Sequence, residues 1–247
     1  MPTSAALFEG ADVFVALLTV GPPGATQTTV DGDALAPQWQ DATACLTHDD
    51  WWACLACTLH PDAAEVNADA GRSGAAFVLR ASLTTGDYYR LRGRVVEATD
   101  GRADAPRLMT TGLIDPGESL WGRAPCRFLG TTLQRPVVVD DGTLPVSLAR
   151  AVAWSRRPKV LIAGLSRELE AVLDRDGRYV GAVSTWSVFD ASDDLERLQA
   201  LVDWLHAPPR QYMFEAFCGA SAMSGGSKSV SRPFMERLLA DFVAGTE

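Results

Sequence analysis

The sequence predicts an α+β fold of mixed short strands with separated helices. Three observations carry this expectation. Short apolar runs rich in Val, Ile and aromatic residues recur, each closed by Gly, Pro or Asp, as strands bounded by turns are. Two amphipathic stretches near the C-terminus have helical spacing and stand apart from those runs. No internal repeat or low-complexity tract organises the chain otherwise.

In chain order, Leu7–Val20 reads as a loop leading into a buried strand, and the Thr-, Asp-, Gly- and Pro-rich Gly21–Pro37 as a turn or loop. A second apolar segment, Trp51–Leu59, runs into a Gly/Ala/Asp-rich connector that ends near Gly74. Ala75–Leu83 fits either a strand or a short helix. Asp87–Val96 alternates large apolar and basic residues, which predicts a half-exposed strand with Arg90, Arg92 and Arg94 on one face. A boundary is expected at Asp100–Pro106, dividing an acidic unit (1–105) from a second unit (106–247).

Beyond it, Pro136–Val139 and Lys159–Ala163 read as short strands, the second opened by Pro158 and closed by Gly164. Leu165–Leu173 reads as a helical turn or two. Asp174–Gly177 has the composition of a hairpin turn leading into one strand, Tyr179–Val188, with Gly181 at a bulge or close approach. Asp193–Leu205 is the clearest helix, since Leu195, Leu198, Leu201, Val202 and Leu205 share a face behind acidic first-turn residues. Pro208-Pro209 is expected to end it. Pro233–Val243 predicts a terminal amphipathic helix with Pro in its first turn.

At 247 residues, 47% hydrophobic and 21% charged, the chain has the composition of an ordinary globular protein. No apolar run approaches a membrane span, MPTSAALFEG lacks a basic n-region, and five cysteines suggest no disulfide framework. A reducing cytoplasm is the expected setting. The formal charge of −9 argues at first against nucleic acid. It is unevenly spread: residues 1–100 hold 5 Lys/Arg against 13 Asp/Glu, residues 121–180 hold 10 against 6. That locally basic stretch fits either a phosphate-contacting face or arginines scattered on a solvated surface.

Several residues offer chemistry. Gly225-Gly226 permits left-handed backbone and close approach, and with neighbouring serines and Lys228 it can cradle an anion or serve as a linker. Arg123 and Arg127 suit bidentate contact with guanine edges or phosphate, or structural ion pairs. The cluster Arg156, Arg157 and Lys159 suits phosphate contact or a solvated face. Cys45, His48, Cys54, Cys57 and His60 include a Cys-x2-Cys spacing compatible with zinc, but i, i+3 cysteines in a Trp-bearing apolar segment also suit a buried helix face. No metal site is assigned. No Gly-x-Ser-x-Gly elbow occurs, and His206 is expected to cap a helix end.

Three segments carry a resemblance: Thr110–Gly122 (TTGLIDPGESLWG), Arg157–Thr185 (RPKVLIAGLSRELEAVLDRDGRYVGAVST) and Phe217–Leu238 (FCGASAMSGGSKSVSRPFMERL). In order and spacing they resemble the C-terminal specificity domain of TaqI-like adenine-N6 DNA methyltransferases, over roughly residues 108–243. Leu7–Val20 is similar, more weakly, to the closing strands of that family's methyltransferase domain. The Asn-Pro-Pro-Tyr motif and the glycine-containing cofactor loop of the catalytic domain are absent from the sequence. Leu205-His206-Ala207 also stands where many members carry Leu-Asn-Ser.

The resemblance implies a target-recognition domain preceded by the remnant of a methyltransferase-domain end. Double-stranded DNA would be its ligand, contacted by Thr110 and Thr111 through a glycine-bearing turn. No cofactor is expected in this chain; S-adenosylmethionine would belong to a methyltransferase catalytic subunit, which would also capture the flipped adenine. Split subunit, truncated product and fragment all fit this picture. Two other functions compete: a docking subunit that acts only with a separate methyltransferase polypeptide, and a metal-dependent small-molecule enzyme.

Overall fold

A computed structural model of the chain describes residues 29–31, 39–41, 76–99, 104–219 and 226–245. The expectations for Leu7–Val20, for Cys45 and His48, for Trp51–Gly74 with Cys54, Cys57 and His60, and for Gly225 lie outside these residues. Within the stretch expected to be a loop, β1 (Thr29–Asp31) pairs antiparallel with β2 (Trp39–Asp41). The remaining elements form an α+β arrangement around two cores.

The first core lies under a four-stranded antiparallel sheet ordered β13-β11-β15-β3, made of Ala171–Asp174, Lys159–Ala163, Thr185–Asp190 and Phe77–Ala81. Strand β11 is buried along its whole length because alternate side chains enter different cores. Val160 and Ile162 face the helices α3 (Leu195–His206), α4 (Pro208–Cys218) and α5 (Arg232–Ala244). Leu161 and Ala163 face the second core. Helix α3 starts where the Asp194 carboxylate accepts the Glu196 and Arg197 N–H groups, and it buries Leu198, Leu201, Val202 and Leu205.

The second core separates this sheet from another, ordered β14-β5-β10-β4: Tyr179–Gly181, Arg107–Met109, Pro136–Val138 and Val95–Glu97. Pairing is parallel between β14 and β5 and antiparallel elsewhere. Leu108, Val138 and Val180 point into the core, joined by Leu148 and Val152 of α2 (Val146–Ser155). Two hairpins complete this side, β6–β7 (Ile114–Asp115, Glu118–Ser119) and β8–β9 (Cys126–Phe128, Thr131–Leu133). Strands β3 and β4 join sheets whose other strands lie beyond residue 105, so both sheets draw on both sides of the expected boundary.

Four expectations are corrected. Asp87–Val96 is not one strand: helix α1 (Thr85–Arg90) precedes a turn and β4. Thr84 accepts the Asp87 N–H at 3.1 Å, and Asp87 takes hydroxyls from Thr84 and Ser147, so capping outweighs the alternation. Arg90, Arg92 and Arg94 therefore share no strand face; Arg94 reaches Asp141 at 2.8 Å. Leu165–Leu173 is not helical but forms β12 (Leu165–Ser166) and the start of β13. The stretch is too short to nucleate a helix unaided, and Gln211 from α4 instead takes the Leu169 N–H.

Tyr179–Val188 divides into β14 and β15, which belong to different sheets. The crossing at Gly181 is so close that a Cβ there would overlap the hydroxyls of Ser82 and Thr185. Asp174–Gly177 makes no hairpin, because the Asp174 carboxylate collects the Arg178 and Tyr179 N–H groups and turns the chain toward the second sheet. As expected, α3 stops before Pro208-Pro209, and Pro208 begins α4 at a position where its missing N–H costs nothing.

Candidate nucleic-acid interface

The three segments that carry the resemblance meet at β12. A 3-10 turn over Thr111–Leu113 packs against Leu165–Ser166. On the same short strand, Leu165 pairs with Ser229 and Ser166 with Lys228, forming a ladder with β16 (Lys228–Ser229). The Val230 N–H continues the ladder to the Gly164 carbonyl at 2.9 Å. Gly164 has no room for a side chain, since a Cβ would lie 2.5 Å from the Ser184 carbonyl oxygen. Positions more than a hundred residues apart in sequence thus form one loop cluster.

Thr110 and Thr111 are half-buried at the start of this cluster. Gly226 is exposed with φ +81°, and nothing lies within 4 Å of where its Cβ would be. Its backbone is open to close approach, as a glycine at an anion site requires. Lys228 is differently placed. Its ammonium donates to the Arg167 carbonyl at 3.0 Å and to Glu215 at 2.7 Å, over the Phe214 ring, so it ties the cluster to α4.

The remaining predicted cations divide by what they touch. Arg127 is exposed on the outer face of β8, opposite Thr132, while Cys126 and Phe128 face the core. Arg156 is exposed at the end of α2. Neither has a side-chain partner among the described residues. Arg123 bonds Glu118 and the Ser119 carbonyl, both at 2.8 Å. Arg157 forks onto Asp193 at 2.7 and 3.0 Å and stacks near Trp154 and Phe189.

Lys159 requires a correction. At 1% exposure its ammonium faces inward to Asp174 and the Ser155 carbonyl, so it reaches no phosphate from this position. Burial drives its pKa down, with Asp174 opposing. Sequence proximity to Arg156 and Arg157 concealed this, because those two precede β11, whereas Lys159 opens a strand buried along its length.

Two titratable groups border the cluster. Glu170, half-buried beside Asp115 and Glu168, has its pKa pushed up to about 7, first by burial and then by those two carboxylates. His206 does not cap α3; its Nε2 accepts the Ala171 N–H at 3.2 Å, and burial lowers its pKa against the pull of Asp203 and Glu168. An acceptor nitrogen requires the neutral ring, in keeping with that direction.

One further arginine was not singled out by its sequence context. The Arg107 guanidinium lies 4.4 Å from the centre of the Trp121 ring and 5.9 Å from that of Tyr179. Tyr179 stands 72 positions along the chain and becomes its neighbour only through the β14–β5 register, so no local pattern announces the group.

No protein-family model and no curated protein matches the chain. Among the described residues, no helix is long and apolar enough to cross a membrane.

Proposed function

We propose that the chain is a DNA target-recognition module of the TaqI-like specificity type, lacking the catalytic motifs of an adenine-N6 methyltransferase. The observation that carries this reading is the meeting of the Thr111–Leu113 turn, β12 and β16. Each comes from a different one of the three segments that resemble the specificity domain. A recognition surface assembled from distant loops needs such a junction, since loops held by a rigid scaffold present readout groups reproducibly.

In this reading Thr110, Thr111 and the backbone at Gly226 approach the duplex at the cluster. Arg127 and Arg156 supply open guanidinium groups for base edges or phosphate. Arg123 and Arg157 contribute only by exchanging Glu118 and Asp193 for DNA. Lys228 and Lys159 hold the scaffold. The chain carries no Asn-Pro-Pro-Tyr motif, so methyl transfer from S-adenosylmethionine is assigned to the partner polypeptide.

Selection from a randomised duplex pool tests the proposal, run at two salt concentrations with and without the methyltransferase polypeptide. Salt-sensitive enrichment of one adenine-containing site is expected. Enrichment only with the partner would make the chain a split specificity subunit, the docking alternative. Failure to enrich any site in either arm would remove the proposal.

A further inference from the structure

The β14-β5-β10-β4 sheet carries a cation with no assigned work. Arg107 pairs across the sheet with Tyr179 on one side and Val137 on the other, which places these three side chains in one row. Their chain neighbours Leu108, Val138 and Val180 enter the second core, Trp121 and Tyr179 pack partly buried against it, and Val137 is fully buried, so the row lies at the margin of that core. Trp121 is fixed to the same place by its indole N–H, which donates to the Pro136 carbonyl at 2.9 Å. Arg107 is half-buried against the two rings. Among the described residues its guanidinium has neither a carboxylate partner nor a hydrogen-bond acceptor.

Three other arginines have backbone or stem atoms near this row. Arg178 precedes Tyr179, and its carbonyl accepts the Arg107 N–H at 2.8 Å. Arg156 presses its backbone against Gly177 in the turn before Arg178. On the far side, the Arg135 stem lies against Gly122, next to Trp121. Arg178 and Arg135 have acidic partners, Asp176 at 3.1 Å and Glu97 at 3.8 Å, but both pairs are largely exposed and weakly held. A guanidinium on aromatic rings keeps its planar edge fixed and its donors directed outward. That edge suits a phosphate of a polyanion.

We propose that Arg107, flanked by Trp121 and Tyr179, grips a backbone phosphate of bound DNA and orients the duplex on this sheet. The inference rests on the DNA-recognition reading above. Arg107 is then a positioning contact that carries no sequence information itself.

The test measures binding of the full chain to a mixed-sequence duplex across a salt series, in whichever arm, with or without the methyltransferase polypeptide, the parent protein binds. Arg107→Ala is expected to weaken binding about tenfold and to reduce the slope of log K against log salt by about 0.9, one phosphate contact. Arg107→Lys should keep the slope but lose part of the affinity, because a point charge replaces the planar fork. Thermal melting of both variants verifies folding; Arg107→Lys still decides the matter by its split of slope and affinity if the alanine variant does not fold. Parental affinity and slope in both variants would overturn the inference while leaving the DNA reading intact. Tighter binding by Arg107→Ala would overturn it too. If the parent chain binds no duplex in either arm, the reading and the inference fall together.

Discussion

At Glu170 the surroundings reverse the usual behaviour of a surface carboxylate. Burial and the charges of Asp115 and Glu168 raise its pKa from 4.5 to about 7, so the folded chain holds a proton that the unfolded chain releases. A group shifted in this direction contributes its full stability below pH 4.5 and loses it as the pH climbs toward 7. Glu170→Gln should therefore match the parent at pH 4 and melt at a higher temperature at pH 8, on the order of those two limits. Melting curves across that window check this; a parallel pair of curves would show that the carboxylate is solvated. Lys159 makes a related point about legibility. Its sequence neighbours, Arg156 and Arg157, mark a basic cluster, yet its charge is consumed inside the fold by Asp174. Only the start of β11 at Lys159, a strand covered by cores on both faces, distinguishes it from Arg156 and Arg157 in the turn before.

Elements whose signals are local were legible before the fold was known. Helix α3 announces itself through acidic first-turn residues and a leucine face, and α5 through Pro233 and its apolar spacing. Strands β10 and β11 follow from apolar runs between breakers. Segments whose partners are distant were not. The 165–173 stretch takes its shape from Gln211, Lys228 and Ser229, and 179–188 from a change of sheet, neither of which leaves a periodic trace. The loop cluster was legible in part: the three segments could be picked out, but the strand on which they meet could not. Glycines separate the two cases by experiment. Gly177 has φ +62°, and a Cβ there would overlap the Arg156 carbonyl, so Gly177→Ala combines left-handed strain with a backbone clash. A loss of about 2–5 kcal/mol is expected. Gly226, at φ +81° in open space, should lose only about 1–2 kcal/mol as alanine. Chemical denaturation of the two variants compares them directly, and equal losses would contradict the tight turn at Gly177.

Over the whole molecule, charge is partitioned rather than balanced. Residues 1–75 contain 1 basic and 10 acidic residues, whereas residues 76–247 contain 21 of each. The net charge of −9 thus resides in the first 75 residues, and the two-core body is neutral on average. A neutral body draws DNA weakly from a distance, so affinity must come from individual phosphate contacts made on the surface. Of the cations proposed for that role, Arg107, Arg127 and Arg156 have no carboxylate partner among the described residues, whereas Arg123 and Arg157 must first leave Glu118 and Asp193. Three preformed contacts predict a slope of log K against log salt of about −3, since each contributes roughly −0.9. Opening both exposed pairs would steepen it to about −4.5. Titrations of duplex DNA at several salt concentrations distinguish these outcomes, and Arg123→Ala and Arg157→Ala separate the two pairs. A slope near −3 that both variants leave unchanged assigns binding to the open arginines. A steeper slope that each variant lowers by about 0.9 means that DNA replaces the acidic partners. A slope near zero would remove phosphate recognition from this chain altogether.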